Sequence, residues 1–145
     1  MKAVIQRVTM AEVVVDGESV ASIKNGLLVL VGFSKKDVEA KLEKAAKKIV
    51  ELRIFEDENG KMNLSVKDMG YEILVVPNFT LEGEIEKGRR PSFDNCMEPE
   101  KAKKFYDMFC ELIEKQRIPV KRGVFQARME VKLTNCGPVT FVLSV

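Results

Sequence analysis

The chain has 145 residues, of which 46% are apolar and 32% charged, with a net charge of +2. That length can bury one real core, the composition is ordinary for a soluble globular protein, and the charge is too small to argue for nucleic acid by itself. There is no histidine, which removes Ser-His-Asp triads, Cys-His dyads, histidine zinc sites and an imidazole base.

Val4, Ile5, Val8 and Val13-Val14-Val15 predict two strand pieces. Asp16-Gly17 is a hairpin turn, and Val20-Ala21-Ser22-Ile23 is the return strand. Asn25-Gly26 reads as a second tight turn. It leads into Leu27-Leu28-Val29-Leu30-Val31, apolar on both faces and therefore central in a sheet. Asp37 then stands where a helix cap belongs, and Val38, Leu42, Ala45, Ala46 and Ile49 recur at helical spacing.

Leu52-Arg53-Ile54-Phe55 predicts a strand, Asp57 to Gly60 a turn, and Ile73 to Val76 a buried strand ended by Pro77. Glu82 to Asn95 is polar and reads as a surface loop. A second helix starts near Pro99 and carries the apolar stripe Ala102, Phe105, Tyr106, Phe109, Leu112 and Ile113. One or two strands follow between Val120 and Leu133. Gly137-Pro138 reads as a turn that opens a last strand, Val139 to Val145. The order predicts a single domain over residues 1–145 of mixed α+β (α/β) class: a largely antiparallel sheet or partial β-barrel with two helices packed on it.

Cys96, Cys110 and Cys136 are odd in number and widely spaced, which favours a reducing cytoplasm over a disulfide scaffold. No run approaches the roughly 18 apolar residues needed to span a bilayer, so the expectation is a cytoplasmic protein with no membrane partner. Taken residue by residue, the chemistry is quiet. Thr80 has no base to activate it as a nucleophile. Phe79 and Phe125 read as core. Lys87, Arg89 and Arg90 read as a solvated basic cluster that is able to meet phosphates.

Two segments change that reading. Asn135-Cys136-Gly137-Pro138-Val139-Thr140 resembles the Asn-x-Gly-Pro-Val-Thr motif of the D-aminoacyl-tRNA deacylases. Pro77-Asn78-Phe79-Thr80-Leu81 is similar to their Ser-Gln-Phe-Thr-Leu motif in its last three positions. The stretches Ala3 to Val8, Leu52 to Asp57, Gly60 to Val66 and Lys87 to Phe93 resemble further parts of the family in the same order.

The resemblance implies hydrolysis of the ester joining a D-amino acid, or mischarged glycine, to tRNA. It implies no cofactor and no metal, and a homodimer with active sites at the interface. Gly137-Pro138 is then expected as a cis pair reaching into the partner's pocket, where its carbonyls stand in the way of an L side chain. The implied catalytic group is Phe79, Thr80, Gly137 and Pro138. The implied substrate-binding group is Gln6, Arg7, Pro77, Asn78, Phe125, Met129 and Asn135, with Arg7 holding the Gly-Pro loop and Phe125 and Met129 lining the terminal adenosine pocket.

Pro77-Asn78 replaces Ser-Gln, and Phe125-Gln126-Ala127-Arg128 has Gln126 where the family pattern has glycine. These departures bear on substrate range more than on fold. Two further readings accompany the first. One is a non-catalytic binder of tRNA ends. The other is an editing deacylase of relaxed chirality for small L-amino acids.

Overall fold

A computed structural model describes all residues, Met1–Val145. The elements are β1 (Lys2–Val15), β2 (Glu18–Ile23), β3 (Gly26–Gly32), α1 (Glu39–Glu51), β4 (Phe55–Glu56), β5 (Met62–Leu64), β6 (Glu72–Pro77), a 3₁₀ turn (Phe79–Glu82), α2 (Pro99–Glu114), β7 (Val120–Arg122) and β8 (Met129–Ser144). The main sheet has the order β2-β1-β3-β6-β7, with β8 on the other side of β1. β1 pairs antiparallel with β2, β3 and β8, whereas β3-β6 and β6-β7 are parallel. β2 also approaches β6 and β7, so the sheet curls toward a barrel. The mixed, largely antiparallel sheet with two helices is as the sequence predicts.

Side chains alternate across β3, and each set finds a core. Leu27, Val29 and Val31 join Ile73, Val75 and the apolar stripes of α1 and α2. Leu28 turns the other way, to Val8, Val13, Leu74 and Val76, with Leu30, Met129, Val131 and Leu133 half-buried at the margin. Phe109 lies fully buried in the α2 stripe; truncating such a side chain to Ala costs about 3–5 kcal/mol. Asp16 (φ 51°) and Gly17 (φ 81°) form the hairpin turn from β1 to β2.

Several local expectations are corrected. Asp37 does not cap α1: Val38 holds the cap position without a side-chain bond. The Asp37 carboxylate instead accepts from the Met1 ammonium (2.6 Å), the Ser34 N–H (2.7 Å) and Lys41 (3.0 Å). Gly26 is a strand residue paired with Val8 and Glu72 rather than a turn residue, and it is glycine because a Cβ there would run into the Glu72 backbone. Leu52 to Ile54 are irregular: the Leu52 N–H closes the end of α1 on Ile49, and the Ile54 carbonyl accepts from Arg7. Only Phe55–Glu56 pairs with β5. Glu82 is buried, not part of a surface loop, with the Met1 ammonium at 3.8 Å and Lys2 at 3.9 Å.

The largest correction concerns the end of the chain. Gly137-Pro138 does not separate two strands, since β8 runs unbroken from Met129 to Ser144. Gln6 pairs with Thr140 and Val8 with Asn135, so Cys136, Gly137, Pro138 and Val139 together face the single residue Arg7. Proline cannot donate to a ladder, and a bulge removes that demand.

Candidate active site

An open cavity of about 1040 Å³ lies on the face of the sheet away from α1. Its floor is the apolar margin of the second core, including Leu28, Leu30, Met129 and Leu133. The start of α2 supplies Pro99 and Ala102, and the segment after β7 supplies Phe125, Gln126 and Ala127. Tyr106 fixes that segment from behind. Its hydroxyl donates to the carbonyls of Val75 (2.9 Å) and Gly123 (3.1 Å), and its ring leans on Phe125 with centroids 6.1 Å apart. Burial first, and then Cys110, push the Tyr106 phenol far above its ordinary range, so it stays a donor.

The cavity gathers six of the residues singled out from sequence: Gln6, Pro77, Asn78, Phe79, Phe125 and Met129. Phe79 is not core, being 59% exposed, and it meets Phe93 edge-on at 5.1 Å on the rim. Phe125 is half-buried in the cavity wall. Thr80 lies just outside the lining and donates its hydroxyl to Asn78 Oδ1 at 2.5 Å. The N–H groups of Phe79 and Thr80 open the 3₁₀ turn, where a helical turn offers no internal acceptor.

The other four candidates, Arg7, Asn135, Gly137 and Pro138, form a separate structure on β1 and β8. Arg7 is buried, and its Nε donates to the Cys136 carbonyl (3.0 Å) while NH1 donates to the Ile54 carbonyl (2.9 Å). Asn135 stitches the bulge: its Oδ1 accepts from the Val139 N–H (2.7 Å) and its Nδ2 donates to Thr140 Oγ1 (2.9 Å). Gly137 and Pro138 are left exposed, with a cis bond between them and Gly137 at φ 135°. A Cβ on Gly137 would lie 2.7 Å from Val139 Cγ2 and 3.2 Å from Arg7 NH2. None of these residues lines the cavity of its own chain.

The family model described as D-Tyr-tRNA(Tyr) deacylase matches residues 4–144. The chain belongs to the D-Tyr-tRNA(Tyr) deacylase family. It is 52% identical over 144 residues to the D-aminoacyl-tRNA deacylase of Thermodesulfovibrio yellowstonii, covering 99% of each chain. It is 56% identical over 143 residues to that of Persephonella marina, covering 99% of this chain and 97% of the relative. Among solved structures, the c-Myc DNA Unwinding Element Binding Protein superposes with a TM-score of 0.96 at 46% identity, covering 100% of this chain and 99% of that one. A probable eukaryotic D-amino acid tRNA deacylase superposes at 0.84 with 19% identity, a likeness of fold.

Two further features shape the cavity of this deacylase-family chain. Gln126 stands at φ 61°, in the left-handed region that favours the glycine of the family pattern. The lining also includes Lys35, Asp94, Cys96 and Glu98, which sequence reading missed. Lys35 comes from the segment before α1, and Asp94, Cys96 and Glu98 from the few residues before α2. Cys96 is a neutral thiol: burial and then the Glu82 charge push its pKa up, outweighing Lys35 and Lys2. No group of three or more Cys, Asp or Glu side chains is arranged to hold a metal ion, and no helix is long and apolar enough to cross a membrane.

Proposed function

We propose that this chain hydrolyses the ester linking a D-amino acid or mischarged glycine to tRNA, as a homodimer whose two active sites each use both subunits. The observation that carries this reading is the division of the two motifs. Pro77-Asn78-Phe79 edges the cavity, while Gly137-Pro138 stands out from β8, exposed and braced from behind by Arg7 and Asn135. A braced loop with nothing to close on its own chain suits a second copy. β8 also has a free outer edge, and its Val142 is 72% exposed.

In this reading the terminal adenosine rests against Phe125 and Met129. The ester carbonyl meets the N–H groups of Phe79 and Thr80, which stabilise the oxyanion as water adds. An aminoacyl ester is already activated, so orientation supplies much of what is needed, up to about 7–11 kcal/mol in favourable cases. The adenosine 2′-hydroxyl assists the water, which removes the need for a histidine. The partner's Gly137-Pro138 carbonyls occupy the space of an L side chain, so the L-ester clashes and is spared. Such a reaction belongs with translation in the cytoplasm.

The test is release of D-tyrosine from D-tyrosyl-tRNA by the purified chain with chelator present, together with sedimentation. Release by a dimer supports the reading. Binding without release would support a non-catalytic tRNA-end binder, the reading favoured by Pro77, which offers no N–H at the cavity edge, and by the Gln126 side chain in its wall.

A further inference from the structure

Residues 84–92 form an arm rooted at the rim of the cavity. Its two ends are tied by the Glu84 N–H to the Ser92 carbonyl (2.8 Å) and the Ser92 N–H to the Glu84 carbonyl (3.0 Å). Phe93, directly after the arm, lines the cavity and packs on Phe79. Gly83, directly before it, lies so close that a Cβ would come within 2.9 Å of the Phe93 ring. The root is therefore fixed on the rim.

The tip is different in character. Gly88 turns the chain at φ 73°, and Lys87, Arg89 and Arg90 flank that turn, all exposed. None of the three takes part in an ion pair. The acidic residues Glu84 and Glu86 lie toward the root. Three or four residues of extended chain reach about 10 Å from the rim. That reach places the three cations beside the first phosphates of a strand leaving the cavity mouth.

We propose that this arm grips the backbone phosphates of the RNA strand whose 3′ end enters the cavity. The proposal rests on the reading of the cavity as a tRNA-end site. It adds a second point of contact, independent of the amino acid and of the chemistry. On sequence alone the same cations read as a solvated cluster; the fixed root beside Phe79 and Phe93 is what gives them a direction. Backbone contacts of this kind set register on the RNA and carry no base information.

The test measures binding of uncharged tRNA by fluorescence anisotropy across a salt series. The protein variant is the triple Lys87→Gln/Arg89→Gln/Arg90→Gln, and circular dichroism checks its fold. Its affinity should fall about tenfold or more, and its log K against log salt slope should become shallower by about 2 to 3. Arg89→Lys/Arg90→Lys should keep the wild-type slope. A charge-matched control, Lys44→Gln/Lys47→Gln/Lys48→Gln on α1, should bind as wild type. An unchanged slope in the arm variant, an equal loss in the α1 control, or no tRNA binding by wild type would each overturn the proposal. D-tyrosine release by wild type is scored separately. Arm-dependent binding without release would leave the arm standing and remove the deacylase reading.

Discussion

Arg7→Ala is the most informative single change. The guanidinium is buried and donates to two backbone carbonyls, Cys136 on the bulge and Ile54 before β4. A hydrogen bond to a charged group contributes about 1.5–3 kcal/mol, so losing both costs roughly 3–6 kcal/mol. The Glu56 carboxylate, 3.6 Å from NH2, adds little because it is 58% exposed. For a chain of this size each kcal/mol moves Tm by roughly 2–4 °C, so the midpoint should fall by about 6–24 °C. Denaturant unfolding at neutral pH reads the free energy directly. The same variant, assayed below its lowered midpoint, should lose discrimination between D- and L-tyrosyl-tRNA more than it loses D-ester turnover, because the bulge is no longer held. Glu56→Gln should change stability by less than about 1 kcal/mol. A loss under about 1 kcal/mol in Arg7→Ala, with chiral discrimination intact, would refute the bracing role.

Three other outcomes follow from the same structure. Burial alone would raise the Asp37 pKa, but the Met1 ammonium, the Ser34 N–H and Lys41 together hold it below the ordinary value. A depressed folded pKa gives stability that is present above the unfolded pKa near 3.9 and lost as pH falls through the folded value. Asp37→Asn should therefore flatten the decline of the urea midpoint below about pH 4, and a parallel acid profile would contradict the ion-pair assignment. Gln126→Gly should leave stability within about 1 kcal/mol, whereas Gln126→Val should cost about 1–3 kcal/mol because a β-branched residue resists φ 61°. Thermal melts of the two variants decide it. Tyr106→Phe removes the donor shared by Val75 and Gly123, and should cost about 1–3 kcal/mol and raise KM through the loosened Phe125 wall; an unchanged KM would separate that hydroxyl from the site.

Much of the fold was legible because its signals are local. The stripes of α1 and α2 and the two-faced apolar run of β3 need only neighbouring residues to be read. Asp16-Gly17 and Pro99 mark a turn and a helix start by their own backbone chemistry. β8 was misread because a proline inside an apolar stretch signals a break. What carries the strand through is Arg7, 129 residues from Cys136, which no window along the chain contains. Asp37 was misassigned for the same reason, its carboxylate being drawn to the Met1 ammonium instead of the helix. Six of the candidate residues, from separate stretches of the sequence, meet in the cavity. Lys35 beside Asp94 and Glu98 was not legible in the sequence, since only the fold brings the segment before α1 against the one before α2.

Matched rates on D-tyrosyl-, L-tyrosyl- and glycyl-tRNA decide whether the proposed ester hydrolysis is chiral. Rapid loss of the D- and glycyl-esters, with the L-ester slower by at least about a hundredfold, a difference of roughly 3 kcal/mol, is the predicted result. Comparable hydrolysis of L-tyrosyl-tRNA would show that Gly137-Pro138 does not guard the cavity.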